Sequence, residues 1–301
     1  MSEEPHSAAY FGAVRDFWWN FDHLRLCAER LGLESVGSVL DVGSGVGHWG
    51  RLLSHVLPAD ATVVGVDREP AWVEEAARRA HEHGLGDRFA YRLGDAHELP
   101  FEDASFDLVT CQTLLIHVPD PRAVIREMMR VVRPGGLVLA SEPNNRSLAL
   151  LGSSADAGAP IDELLDLARF LLTCERGQVA LGLGDNSIGD LVPGYFAAEG
   201  LEQVQTWLSD KVSMMVPPYE TEEQQVLKQH FAVDAERGAF GWAEAEARRY
   251  FLAGGGAESE FGAAWERRLA EARRDADAIE RGEFHTAGGD ILYLVAGRRP
   301  E

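Results

Sequence analysis

Val39-Leu-Asp-Val-Gly43-Ser-Gly45-Val-Gly47 is the stretch that decides the fold. An apolar run ends in three glycines at alternate positions, and His48-Trp-Gly-Arg-Leu-Leu53 then opens with the spacing of a helix. Strand, glycine turn and helix in that order bring bare peptide groups to a helix N-terminus, where a ligand can lie against N–H donors. Dinucleotide-binding folds favour G-x-G-x-x-G, and here His48 stands where the third glycine of that pattern would fall. The spacing is G-x-G-x-G with Asp41 two positions ahead, which disfavours a nicotinamide dinucleotide. Asp67 ends the next apolar run, about 20 residues on, where a carboxylate can accept both hydroxyls of a ribose. Asp95, in Gly94-Asp-Ala96, follows the third run and is suited to an exocyclic amine. Any one of these carboxylates can be a helix cap, but three at successive strand ends share the crevice where such folds bind ligands.

The same alternation extends outward. Ser38–Val42, Thr62–Val66, Phe89–Leu93, Phe106–Cys111 and Leu137–Glu142 are apolar at nearly every position, as buried parallel strands are. Helices are expected at His48–Leu57, Glu69–His83 and Pro121–Val132; the last has Asp120 as N-cap and Pro134-Gly-Gly136 as stop. Beyond residue 145 come a leucine-rich helix (Asp162–Leu172), a glycine-rich turn (Gly182–Gly189), a helix (Leu191–Glu199) and a strand (Leu201–Leu208). A helical block (Glu220–Arg281) and a strand (Asp290–Ala296) follow. Phe261, Trp265, Leu269, Ala272, Ala276 and Ile279 form an amphipathic stripe, which reads as packing within the domain or as a homodimer surface on the insertions. The expected division is an N-terminal helical arm or lid (1–36), a cofactor-binding α/β core (37–145), a helical insertion (146–190), a core helix and strand (191–217), a second insertion (218–285) and a last strand (286–301).

Asp41-Val-Gly-Ser-Gly-Val-Gly47, Val64-Gly-Val-Asp67, Gly94-Asp95-Ala96, Phe106-Asp-Leu-Val109 and Arg133-Pro-Gly-Gly136 together resemble the successive motifs of class I S-adenosylmethionine-dependent methyltransferases. The likeness is greatest to the ubiquinone/menaquinone-biosynthesis type. It covers about residues 37–143 and implies a Rossmann-like, mostly parallel seven-stranded sheet with an antiparallel last strand, carrying the helical arm and cap insertions. It also implies roles. Asp41, Gly43, Ser44, Gly45 and Gly47 would hold the methionine portion of S-adenosylmethionine, whose product is S-adenosylhomocysteine. Asp67 would hold the ribose, Arg68 would flank the adenine, and Asp95 with Ala96 would read its amino group. Gln112 stands where the family contacts the methionine end. Tyr10 and Arg15 would reach the cofactor from the arm, the guanidinium matching its carboxylate.

Methyl transfer from a sulfonium requires alignment and exclusion of water, and a base only when the nucleophile is protonated. His117, just past the fourth strand, has the pKa for that work or else orders a loop. Glu142, at the end of the fifth strand, either meets a polar substrate group or ties down the loop before Pro143. The aromatics Trp18, Trp19, Phe240, Trp242, Tyr250 and Phe251 either line a pocket or pack within the arm and cap.

Composition narrows the partners. With 28 Lys and Arg against 49 Asp and Glu, the net charge is −21, which repels phosphate backbones and weighs against nucleic acid. Three scattered cysteines and the lack of a leader-like or membrane-length apolar run read as cytoplasmic. His81 and His83 fall on different faces of a helix and no C-x-x-C occurs, so no metal site is expected. The leading expectation is methylation of O, N or S on a small molecule. A peptide or tRNA acceptor, and a non-catalytic S-adenosylmethionine binder, are the alternatives.

Overall fold

The computed structural model describes residues 12–150, 152–237, 242–289 and 291–301. The chain folds as two compact units, each assembled from separated segments. One contains residues 12–18, 144–187 and 211–291, and the other residues 19–143, 188–210 and 292–301. The divisions fall inside the expected arm, between Trp18 and Trp19, and a few residues from the expected insertion limits.

The second of these units is built on a seven-stranded sheet of order β3-β2-β1-β4-β5-β7-β6. Its strands are β1 Ser38–Val42, β2 Thr62–Asp67, β3 Phe89–Leu93, β4 Phe106–Gln112, β5 Val132–Pro143, β6 Glu202–Leu208 and β7 Leu292–Arg298. The first five pair in parallel, and β7 runs antiparallel to both β5 and β6. This is the Rossmann-like arrangement expected. Its helices are α1 Phe21–Leu31, α2 His48–Leu53, α3 Pro70–Glu82, α4 Pro121–Val131 and, later in the chain, α6 Val192–Ala198. Leu40, Val109, Val124, Ile125, Met128, Val138 and Phe196 are wholly buried in its core.

Two local expectations are corrected, and β6 forms where a strand is expected. Helix α2 stops at Leu53, because the Ser54 hydroxyl bonds back to the Arg51 carbonyl (2.6 Å) and competes with the next turn. Arg133-Pro-Gly-Gly136 is part of strand β5 rather than a stop before it; Val132 already pairs with Phe106, and a register shift between Phe106 and Leu108 absorbs the proline and glycines. Strand β6 is an edge, bulged at Gln203 (φ 51°), with no fully buried side chain from Glu202 to Leu208.

The other unit is helical, with α5 Ile161–Ala180, α7 Glu222–Arg237, α8 Glu244–Ala253 and α9 Glu258–Glu280. The single block expected over Glu220–Arg281 is thus three helices, the last break lying at Gly254-Gly-Gly256, where Gly255 takes φ 97°. Helix α5 runs eight residues past the expected Leu172, through Gly177. A side chain at Gly177 would collide with the Tyr250 carbonyl, and one at Gly254 with the Thr173 carbonyl, so α5 and α8 meet backbone to backbone. Phe170, Trp242, Tyr250, Phe251, Phe261 and Trp265 pack the core of this unit. Tyr250, Phe251 and Trp242 are therefore at least in part ordinary packing; Phe240 lies outside the described residues.

Candidate functional site

The glycine turn joins β1 to α2, and Gly43, Gly45 and Gly47 all take positive φ (66°, 52° and 78°). Side chains rarely adopt that region, which explains the alternate glycines. The loop is laced to the end of β2: the Ser44 N–H donates to the Val66 carbonyl (3.0 Å) and the Gly45 N–H to Asp67 Oδ2 (2.8 Å). The Glu69 N–H donates to Asp67 Oδ1 (3.0 Å). Burial raises the Asp67 pKa, and the backbone N–H donors hold part of that shift back.

Asp41 is 1% exposed, and its Oδ2 accepts from the Gly50 N–H (3.1 Å). Burial, opposed by that bond and aided by the charge of Asp67, pushes its carboxyl up to about 7. Asp41 Oδ1 and the Ser44 hydroxyl are buried with no hydrogen-bond partner. Buried polar atoms without partners are costly, so this pair marks a place where a ligand's donors belong. The residues fit an adenosyl-amino-acid cofactor: a buried acidic acceptor and a hydroxyl, both without partners, on a glycine loop beside the Asp67 carboxylate.

Asp95 is more open. Its side chain is 64% exposed, and Oδ1 accepts from the His97 N–H (2.8 Å) and bonds His97 Nδ1 (2.9 Å). Those bonds lower its pKa, the backbone one most. Ala96 packs half-buried on the sheet core, and Arg68 is exposed with its Nε 3.8 Å from Glu69. Gln112, 6% exposed at the end of β4, donates to the Ser141 hydroxyl (3.4 Å). His117 is exposed at the end of a short 3-10 turn, Leu115–His117.

Glu142 does something the sequence reading did not foresee. It is 0% exposed, and its oxygens accept from the N–H groups of Leu114 (3.0 Å), Leu115 (2.9 Å) and Ile116 (3.4 Å). The Cys111 thiol donates to the same carboxylate (3.7 Å). It ties down the turn after β4, not the loop before Pro143, and burial raises its pKa to about 7.

The arm residues fall in both units. Arg15 belongs to the helical unit, stacked over Trp18 (5.4 Å), with its pKa lowered to about 10 by burial; Tyr10 lies outside the described residues. Trp19 packs on Trp49 (5.7 Å between rings), whose indole N–H donates to Thr110 (2.8 Å). Tyr91 and Leu114 also shape the loop, although no motif marks either. Tyr91 pairs in register with Gly65, and its ring fills the space a side chain at Gly65 or Gly47 would need. A glycine inside the apolar strand Val63-Val-Gly-Val66 was the available signal. Among the described residues no three His, Cys, Asp or Glu come together to hold a metal, and no helix is long and apolar enough to cross a membrane.

Comparison with known proteins bears on this geometry. Residues 40–140 match the methyltransferase-domain family. The methyltransferase GfsG of Streptomyces halstedii is 43% identical over 108 residues, 36% of this chain and 38% of that protein. The ubiquinone biosynthesis O-methyltransferase of Xanthomonas axonopodis pv. citri is 36% identical over 160 residues, 48% of this chain and 64% of its own length. The chain therefore spans less than two thirds of either relative. The solved structure of the YcgJ protein from Bacillus subtilis shares the fold, with a TM-score of 0.51 at 22% identity, covering 94% of this chain and all of that one. Residues 40–140 form a methyltransferase domain of the class I S-adenosylmethionine-dependent family, of the ubiquinone-biosynthesis-like kind.

Proposed function

We propose that this chain transfers the methyl group of S-adenosylmethionine to an oxygen, nitrogen or sulfur atom of a small molecule. The observation that carries this reading is the pair of partnerless buried acceptors, Asp41 Oδ1 and Ser44 Oγ, on a glycine loop laced to Asp67. The cofactor supplies the electrophilic methyl; the chain's own residues bind and orient. Asp41 and Ser44 take the amino-acid end, Asp67 exchanges its bond with Gly45 for the ribose hydroxyls, and Asp95 with Ala96 reads the adenine edge. Gln112 meets the methionine end. His117 removes a proton from an acceptor that carries one. An O-methyltransferase of ubiquinone biosynthesis among the relatives supports a small-molecule acceptor, and the net charge of −21 weighs against tRNA.

Calorimetric titration tests the reading. S-adenosylmethionine and S-adenosylhomocysteine should bind and NAD should not; the reverse pattern ends the proposal. Asp67→Ala should weaken cofactor binding about tenfold or more, since a charge-assisted pair of hydrogen bonds is lost. His117→Ala should lower turnover without changing cofactor affinity. Screening metabolites for release of S-adenosylhomocysteine identifies the acceptor.

A further inference from the structure

The turn after β4 is unusual in three ways at once. Thr113 is in the left-handed region (φ 49°), a conformation that is unfavourable for a non-glycine residue and persists only where its surroundings over-determine it. Its N–H is tied to the Ser141 carbonyl (2.9 Å), and the next three N–H groups all converge on the buried carboxylate of Glu142. Leu114 lies directly against the first loop glycine: a Cβ at Gly43 would sit 2.6 Å from Leu114 Cδ1 and about as close to its Cγ and Cβ (3.1 and 3.2 Å). A continuous set of contacts therefore runs from β5 through the turn to the loop whose neighbours bond Val66 and Asp67.

We infer that Glu142 is a positioning residue for the cofactor loop, clamping the 113–116 turn so that Leu114 holds Gly43 in its left-handed conformation. This rests on the reading of that loop as the cofactor site. The carboxylate is too enclosed to touch an acceptor, and its partners are three amides and a thiol, a donor set that fixes backbone rather than chemistry. An apolar residue of similar size would fill the volume and leave three amides unsatisfied.

Amide exchange in the ligand-free protein and titration with S-adenosylhomocysteine test it together. Glu142→Ala should speed exchange at Ser44 and Gly45 about tenfold relative to Val295 in β7, and weaken S-adenosylhomocysteine by a similar factor. Glu142→Gln keeps an oxygen for Leu114 and Leu115 and should restore both to within about threefold of wild type. Unchanged exchange at Ser44 and Gly45 in folded Glu142→Ala protein overturns the inference, as does a rise that Val295 shares, which is global loosening. Should Glu142→Ala not fold, Leu114→Ala carries the same test: it leaves the carboxylate's bonds intact and must still speed exchange at Ser44 and Gly45. Wild-type protein that ignores S-adenosylhomocysteine sinks the cofactor reading alone, because the exchange measurement needs no ligand.

Discussion

Asp41 holds its carboxyl at about 7, well above the ordinary 3.8, because burial penalises its charged form. Folded protein thus keeps a proton there that the unfolded chain has lost, so this group's stabilisation is complete below pH ~4 and disappears as pH rises through 7. A ligand ammonium reverses the preference by favouring the anion. Affinity for S-adenosylhomocysteine should therefore rise between pH 6 and 8, with proton release visible when titrations in buffers of different ionisation enthalpy are compared. Asp41→Asn should bind more weakly and release no proton; unchanged release would mean another group is responsible. Asp67 and Asp95 were legible as candidates because each stands at or after the end of an apolar run, and Asp41 because it stands two positions before the first loop glycine. Glu142 was legible as a site residue but not in its role: its partners are amides, and no sequence pattern names an amide. Leu114 carried no signal, since a leucine in an apolar run is indistinguishable from core.

At the scale of elements, apolar runs served well for strands buried on both faces and poorly where glycines bring backbones together. The five parallel strands were found within a residue or so, apart from the N-terminal half of β5, where Pro134 and two glycines read as a stop. Helix α5 was expected to end at Leu172, but it runs on to Ala180, through the glycine on which α8 packs. Gly177→Ala and Gly254→Ala should each destabilise the helical unit by at least the ~1–3 kcal/mol typical of overpacking, because carbonyl groups rather than flexible side chains stand in the way. Gly262→Ala, in α9 with open space around it, should instead stabilise by about 0.5–1 kcal/mol. Thermal melting of the three variants decides between packing and propensity as the reason for these glycines.

For the whole molecule, Asp41, Glu142 and Asp275 are all lifted to about 7, burial being the largest cause in each and the neighbouring charges of Asp156 and Glu271 adding to it at Asp275. A raised carboxyl pKa makes the folded state the tighter proton binder, so ligand-free protein should melt at lower temperature at pH 8 than at pH 6.5. Glu142→Gln should reduce that slope, and a melting temperature independent of pH over this window would count against the three assignments. The seven-stranded α/β architecture was legible from the motif order, whereas the grouping of segments into two units was not. Residues 19–143, 188–210 and 292–301 come together only through long-range pairing, which local pattern does not encode.

Strand β7 lies between β5 and β6 and pairs with both, although residues 144–291 are translated between β5 and β7. A nascent chain leaving the ribosome at about 5–20 residues per second therefore waits on the order of ten seconds with one flank of β5 unpaired. During that interval the Leu137–Ala140 run presents an apolar ladder to any extended peptide nearby. Holding chaperones acting late in translation, rather than early, should decide how much of this protein reaches its native state.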